Sequence, residues 1–293
     1  MNVDVVVVSF NSSKHIRACV EPLVDQADVR VIVVDNGSQD ATLQVVAELP
    51  VEVVDLKLNC GFASACNHGW RSGNAPLVLF LNPDAVIDDA SVHCLSQVLE
   101  QDARIGAVGP KLVAPDGSLQ FSQRRFPRLR SAYAQAFFLH RCFPRSPWAS
   151  EDVYDRALYD RSGSPECLEG ACLLVRRSLL TRLGGFDERF FLYSEDIDLC
   201  LRLRALGVDV RYEPRAVCTH AGQGSGTRSL PLLTESRIRY VQKHSGRGAE
   251  AALRLALALR AIVRLLTLRG GPEARTGHIQ SLRVALTPLP QRP

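Results

Sequence analysis

A β-branched run from Val3 to Val8, stopping at Ser9-Phe10-Asn11, constrains this chain more than any other feature. Such a run suits a strand buried on both faces, which requires helices above and below a parallel sheet. The pattern returns at Val29–Val34, at 51–56 and at Leu77–Leu81, with helical spacing between these runs at 13–25, 40–48 and 62–72. Strand and helix therefore alternate through the first 82 residues, which predicts an α/β fold. A helix at 89–101, strands at Gly106–Pro110 and Leu168–Val175, helices at 178–183 and 195–206, and strands near 208–218 extend the body. Past Ala221 the pattern predicts helices near 230–243 and 249–269.

Composition excludes several classes. With 293 residues, 46% of them hydrophobic, the chain can bury a core in one large domain or two smaller ones, and it is neither disordered nor collagen-like. The net charge of +4 is unevenly spread: residues 221–293 hold 12 Lys+Arg against 3 Asp+Glu, which leaves 23 against 28 in the first 220. An acidic body with a basic tail suggests chemistry in the first and an anionic surface or partner for the second. Nine cysteines without a C-x-x-C pair fit a reduced, cytoplasmic protein better than a zinc or redox motif. Asp4 and the shortness of the first apolar run argue against a signal peptide, and no uncharged run is long enough to span a membrane.

Ligands of open α/β sheets bind beyond the carboxyl ends of the strands. Here those ends read Ser9-Phe10-Asn11, Asp35-Asn36 and Asn82-Pro83-Asp84. One such cluster is ordinary turn chemistry; three along one edge suggest a site. No G-x-x-x-x-G-K-[ST] is present, and Gly222-Gln223-Gly224-Ser225-Gly226 lies too late, with the wrong spacing, to be a dinucleotide fingerprint. A diphosphate held without such a cradle needs a cation, and Asp84 is a natural oxygen ligand for Mg²⁺ or Mn²⁺.

In chain order, Val5-Val6-Val7-Val8-Ser9-Phe10-Asn11, Val33-Val34-Asp35-Asn36-Gly37-Ser38-Gln39-Asp40, Asn59-Cys60-Gly61-Phe62-Ala63, Asn67-His68-Gly69, Leu81-Asn82-Pro83-Asp84, Gly185-Phe186-Asp187-Glu188 and Glu195-Asp196-Ile197-Asp198-Leu199 resemble glycosyltransferase family 2, in its rhamnosyltransferase-like branch. The resemblance covers about residues 3–245. It implies a GT-A fold, a mostly parallel nucleotide-binding sheet flanked by helices with a C-terminal helical extension, and inverting transfer of a sugar from a nucleotide diphosphate. It also implies that Ser9, Asn11 and Asp35 bind the nucleoside, with Asp35 accepting from a pyrimidine imide, and that Asn36 belongs to the donor site. Asn59, Gly61, Phe62, Asn67 and Asn82 would line the rest of the donor site. Asn82 stands where the family's D-x-D motif has its first carboxylate, so the metal falls to Asp84, with His220 as a second ligand. Asp196 matches the general base, beside Glu195. Inversion does need a carboxylate opposite the leaving group. Glu195, Asp196 and Asp198 also suit a helix N-terminus, and Arg202 reads as an i,i+4 partner of Asp198.

The expected organisation is a catalytic domain over 1–228, with a nucleotide-sugar half at 1–110 and an acceptor half at 111–228, followed by a basic helical extension at 229–293. Residues 118–165, rich in Arg and aromatics, are expected to form a flexible lid, with Arg124, Arg125, Glu169 and Gly170 facing the acceptor. RNA-binding motifs are absent and the body is acidic, which argues against nucleic acid. On a helical wheel Leu255, Leu259, Ile262, Val263 and Leu266 share one face, suited either to packing on the body or to lying on anionic lipid at the inner face of the membrane. The expected donor is dTDP-rhamnose, with UDP-galactofuranose, UDP-GlcNAc or UDP-galactose as alternatives, and the acceptor a glycan or polyprenyl-diphosphate-linked saccharide. A nucleotidyltransferase would need a phosphate-gripping loop near residue 10, where only Asn-Ser-Ser-Lys stands. A non-catalytic nucleotide-sugar binder is the remaining alternative.

Overall fold

The computed structural model describes residues 2–222, 229–267 and 271–291. The sequence features at 223–226 and at Leu268 and Arg269, and the 228/229 domain boundary, fall at least partly outside them.

The first run becomes strand β1 (Val3–Ser9), followed by helix α1 (Ile16–Val24), β2 (Val29–Asp35), α2 (Thr42–Ala47), β3 (Glu52–Asp55), α3 (Phe62–Ser72) and β4 (Leu77–Leu81). β1 pairs in parallel with β2 and β4, placing Val5 between Val31 and Leu79. Successive side chains of a strand point to opposite faces. Val3, Val5 and Val7 accordingly join Ile16, Cys19, Val20 and Leu23 of α1 in one core, while Val6 and Val8 join Ala63, Ala65, Cys66 and Trp70 of α3 in another. The one charge in the run, Asp4, is buried because Arg177 Nη2 (2.6 Å) and the Ala75 N–H (2.8 Å) donate to it.

Beyond β4 the chain departs from simple alternation. A short strand β5 (Ala85–Ile87) precedes α4 (Asp89–Gln101) and β6 (Ile105–Val113). The single strand expected at 168–175 is two: β8 (Cys167–Leu168), which pairs with β7 (Gln123–Arg124), and β9 (Cys172–Arg176). β9 is followed by α7 (Arg177–Leu183), α8 (Glu195–Ala205) and the long β10 (Asp209–His220). The main sheet runs β3-β2-β1-β4-β9-β6-β10-β5, mostly parallel, with β9 antiparallel to both neighbours and β5 antiparallel to β10.

The 118–165 segment contains β7, α5 (Leu129–Ala136) and a short α6 (Leu139–Cys142). The tail forms α9 (Leu230–His244), α10 (Arg247–Thr267) and a helix the spacing did not reveal, α11 (Pro272–Leu286). Ala132 of α5, Phe190, Ile238, Tyr240 and Val241 of α9, and Leu253, Ala256 and Leu257 of α10 build a third core. α9 is tied to α8 through Asp198, which is fully buried and receives Arg202 Nε (2.7 Å), Lys243 Nζ (2.6 Å) and His244 Nε2 (2.7 Å). The i,i+4 pairing of Arg202 with Asp198 is therefore present, as part of this larger cluster. α10 meets the body through Leu253, Ala256, Leu257, Ala258 and Ala261. Leu255, Ile262 and Leu266 of the anticipated face point to solvent instead. Among the described residues no helix is long and apolar enough to cross a membrane. All nine cysteines are free thiols.

Candidate active site

The carboxyl ends of β1, β2 and β3 form a polar cradle. Ser9 Oγ donates to Asp35 Oδ1 (3.1 Å), and the Ser38 N–H donates to Asp35 Oδ2 (2.9 Å). Asn11, exposed and at a left-handed φ of 52°, accepts from the Gln39 N–H (2.8 Å) and so holds the β2 turn. Asn36 is buried, and its amide is spent within the cradle: Oδ1 accepts from the Cys60 N–H (2.9 Å) and Nδ2 donates to Asn59 Oδ1 (3.1 Å). Asn59 Oδ1 also receives the Gly61 N–H (3.1 Å). Asn36 thus shapes the 59–61 loop rather than presenting its amide to a ligand. At Gly61 φ is 91° and a Cβ would lie 2.7 Å from Phe191, so only glycine lets this loop approach residues 190–195. The Phe62 N–H closes that contact on Phe191 O (2.7 Å).

Asn67 does not reach the donor cleft. It is fully buried, Nδ2 donating to Phe186 O and Glu188 Oε1 (both 2.8 Å) while Oδ1 accepts from Trp70 Nε1 and the Phe186 N–H (both 2.9 Å). Its motif fastens α3 to the Gly185–Glu188 turn. Asn67→Ala strands the Trp70 and Phe186 donors in the core and is expected to cost about 2–4 kcal/mol, read as a lowered denaturation midpoint in urea. An unchanged midpoint would remove this role.

The sheet topology assembles the reacting edge. Antiparallel pairing of His220 with Ala85 sets His220 beside Asp84, with Nε2 3.4 Å from Asp84 Oδ1. Gln120, which the sequence reading passed over, fixes the ring: its Nε2 donates to His220 O (2.7 Å), so its Oε1 faces His220 Nδ1 (3.0 Å) as acceptor. Nδ1 therefore carries the proton in the neutral ring, and Nε2 turns its lone pair toward the carboxylate. Asn82 Nδ2 lies 3.3 Å from the same Nε2 and donates to its lone pair. Two acceptors facing each other across 3.4 Å suit a divalent cation between them. Among the described residues no three His, Cys, Asp or Glu converge to hold an ion unaided. The candidate donor set is thus one carboxylate and one imidazole, with Asn82 turning its amide nitrogen to the ring, so a cation here would need further oxygens such as those of a substrate diphosphate.

The break between β8 and β9 brings Glu169 and Gly170 to the same edge, because the Asn82 N–H bonds Ala171 O (2.9 Å). The Gly170 N–H donates to Asp196 Oδ2 (2.9 Å), and a Cβ on Gly170 would sit 3.1 Å from Asp196 Cβ. Asp196 is the second residue of α8, which follows two consecutive non-glycine residues at positive φ, Tyr193 (72°) and Ser194 (68°). Such backbone strain persists where surrounding contacts over-determine it, commonly at functional sites. Burial raises the Asp196 pKa against the opposing pull of Arg124 and the Gly170 N–H. Arg124 lies between Asp152 (3.4 Å) and Glu169 (3.3 Å). Burial also raises Glu169, with Asp196 pushing the same way and Arg124 opposing. Arg125 points elsewhere: its Nη1 is spent on Ser150 O (3.2 Å) and Asp152 O (3.0 Å), so it braces the 150–152 segment and is not placed for an acceptor phosphate.

Glu195 is buried, and Oε2 has no hydrogen-bond partner among the described residues. Burial first, then the Asp196 charge, hold its carboxyl well above the usual range. A carboxyl whose folded pKa is raised weakens the fold as pH climbs from the unfolded pKa toward the folded one. Glu195→Gln is expected to add about 1 kcal/mol of stability at pH 8 and nothing below about pH 4, measured by denaturation at both. A loss at pH 8 would contradict the sign.

A profile described as "Glycosyltransferase like family 2" matches residues 2–243. The chain belongs to glycosyltransferase family 2. Among relatives of this glycosyltransferase, the N-acetylglucosaminyl-diphospho-decaprenol L-rhamnosyltransferase of Mycobacterium tuberculosis is 33% identical over 263 residues, covering 83% of this chain and 85% of the relative. Rhamnosyltransferase WbbL of Escherichia coli is 28% identical, covering 74% and 82%. Among solved structures, the mannosyltransferase PcManGT from Pyrobaculum calidifontis, in complex with GDP-Man and Mn²⁺, superposes with a TM-score of 0.60 at 20% identity, covering 97% of the glycosyltransferase and 86% of that chain. These likenesses establish the GT-A architecture, and the activity class is glycosyl transfer.

Proposed function

We propose that this enzyme moves rhamnose from dTDP-rhamnose to a hydroxyl of a lipid-linked saccharide in cell-envelope polysaccharide synthesis, with inversion at the anomeric carbon. The observation that carries the chemistry is the placing of two differently supported carboxylates on one sheet edge: Asp84 beside His220, and Asp196 held by the Gly170 N–H. The donor and acceptor rest on the mycobacterial relative, whose name gives a rhamnosyl donor and a diphospho-decaprenol acceptor.

In this reading Ser9, Asn11 and Asp35 orient the nucleoside at the ends of β1 and β2, and the 59–62 loop closes one wall. Asp84 and His220 would hold Mg²⁺ or Mn²⁺, with Gln120 keeping the His220 lone pair aimed inward. When bound, the cation supplies positive charge to the leaving nucleoside diphosphate. Asp196 takes the proton from the acceptor hydroxyl as it attacks the face opposite the diphosphate. Arg124 and the Gly170 N–H favour the ionised form of that carboxyl against the effect of burial. The relative's lipid-linked acceptor also supports peripheral contact with the cytoplasmic face of a membrane.

The test is transfer from dTDP-rhamnose to a synthetic polyprenyl-diphosphate N-acetylglucosamine, with the new linkage read by NMR. A product inverted at the anomeric carbon is expected. Turnover only with UDP-sugars would replace the donor, and a retained configuration would overturn the mechanism.

A further inference from the structure

The 137–148 segment and the helix beside it carry features that sugar transfer does not use. Phe137 (51% exposed), Leu139, Phe143 (52% exposed) and Trp148 present apolar side chains to solvent, with the Phe143 and Trp148 rings 5.7 Å apart. Between this segment and α10 lies a group of cations. The Arg264 guanidinium sits 3.5 Å from the Phe138 ring centre and that of Arg141 4.9 Å from it. Arg260 donates to the neutral Gln135 amide (3.2 Å).

Neither Arg260 nor Arg264 has a carboxylate partner among the described residues, whereas neighbouring Arg237 is paired with Glu151 (2.5 Å). Burial, together with the charges of Arg237 and Arg264 and against the weaker opposing pull of Glu151, pushes the Arg260 pKa down to about 10. Burial first, then nearby arginines, lower His140 and His278 as well. Charges removed from water are normally paired. Among the described residues neither Arg260 nor Arg264 has an ion-pair partner of its own; Glu151, already paired with Arg237, acts on Arg260 only through its charge, and the half-buried Phe138 ring lies against Arg264 and Arg141. The outer face of α10 adds Leu255, Ile262 and Leu266 (81% exposed). Aromatic and aliphatic side chains interleaved with arginine suit the boundary between lipid headgroups and acyl chains.

We propose that α6, the segment around it and the outer face of α10 form a docking surface for an anionic bilayer, in which lipid phosphates serve as counter-ions to Arg260 and Arg264 while Phe137, Leu139 and Phe143 enter the acyl boundary. This deepens the peripheral contact proposed above and assigns it to a surface made jointly with the 137–148 segment. The small-residue face of α10 is committed to the protein's own core. Removing 249–293 would consequently disturb the fold, so point variants are the sound probe.

The test is co-sedimentation of the full chain, without donor, with vesicles of phosphatidylcholine alone or mixed with phosphatidylglycerol. Binding is expected only with phosphatidylglycerol and should fall as salt rises. The double variant Arg260→Gln with Arg264→Gln should weaken partitioning roughly 10- to 30-fold. Phe137→Ser with Phe143→Ser, on exposed positions, should weaken it at unchanged thermal midpoint. Arg141→Gln gives a second fold-neutral loss of charge. Equal binding to both vesicle types, or anionic binding that none of these variants alters, would overturn the assignment while leaving sugar transfer to stand on its own assay. Displacement by millimolar inorganic phosphate, or self-association in place of vesicle binding, would overturn it too.

Discussion

Asp196→Asn is expected to lower transfer by about 10²–10⁴-fold while donor affinity changes little. In the proposed mechanism the carboxylate takes the acceptor's proton, whereas the amide keeps its shape and can still receive the Gly170 N–H. Because burial raises the Asp196 pKa, the ionised base is lost on acidification at a pH above the usual carboxylate range. In the native enzyme kcat/KM should therefore rise with pH through that raised value, a limb belonging to the coupled Glu195–Asp196 pair. The Asn variant should lack the limb. Turnover within tenfold of the native enzyme, or an unchanged acid limb, would remove Asp196 from the role of base.

The second large effect is expected at Asp84. It is the one carboxylate of the proposed cation site, so Asp84→Asn leaves only neutral donors there. A loss of about 10²–10³-fold in kcat is expected, together with loss of Mn²⁺-dependent donor binding by calorimetry. Gln120→Leu probes the same site from one shell out. It frees the His220 ring, and a fall of about 10- to 100-fold in metal affinity is expected while metal-free donor binding persists. Equal metal affinity in all three proteins would place the cation elsewhere.

Legibility in the sequence followed the range of the contacts involved. β1, β2, β4, α3 and α4 were read nearly residue for residue, because buried parallel strands and amphipathic helices are local patterns. The break between β8 and β9 was not, since Glu169 and Gly170 sit inside a run that reads as one strand. It is imposed by pairing with β4 and β7. β5 is three residues long, and its partner lies more than a hundred residues away. Asp84 and Asp196 are singled out by motifs in register and His220 by its place at the end of a strand, but Gln120 carries no signal of its own and meets His220 only when β10 returns beside β5. The motif residues Asn36 and Asn67 show the converse: each was expected at a ligand, and the structure spends its amide on the chain itself, while Arg125 of the Arg-rich segment turns Nη1 to Ser150 O and Asp152 O. On α10 the wheel grouped the leucines correctly, yet could not tell which face the body would cover. The alanine-rich face won because small residues let helices approach closely.

Nucleotide-sugar binding by this enzyme should depend on a cation at Asp84 and His220. Thermal shift against dTDP-rhamnose, UDP-sugars and GDP-mannose, each with and without Mn²⁺, tests it most directly. At about 100 times Kd a ligand adds about 2.7 kcal/mol, a shift of several degrees for a chain this size. A shift with dTDP-rhamnose that requires Mn²⁺ and vanishes in Asp84→Asn is the predicted result. Equal stabilisation with and without the metal, or none by any nucleotide sugar, would contradict it.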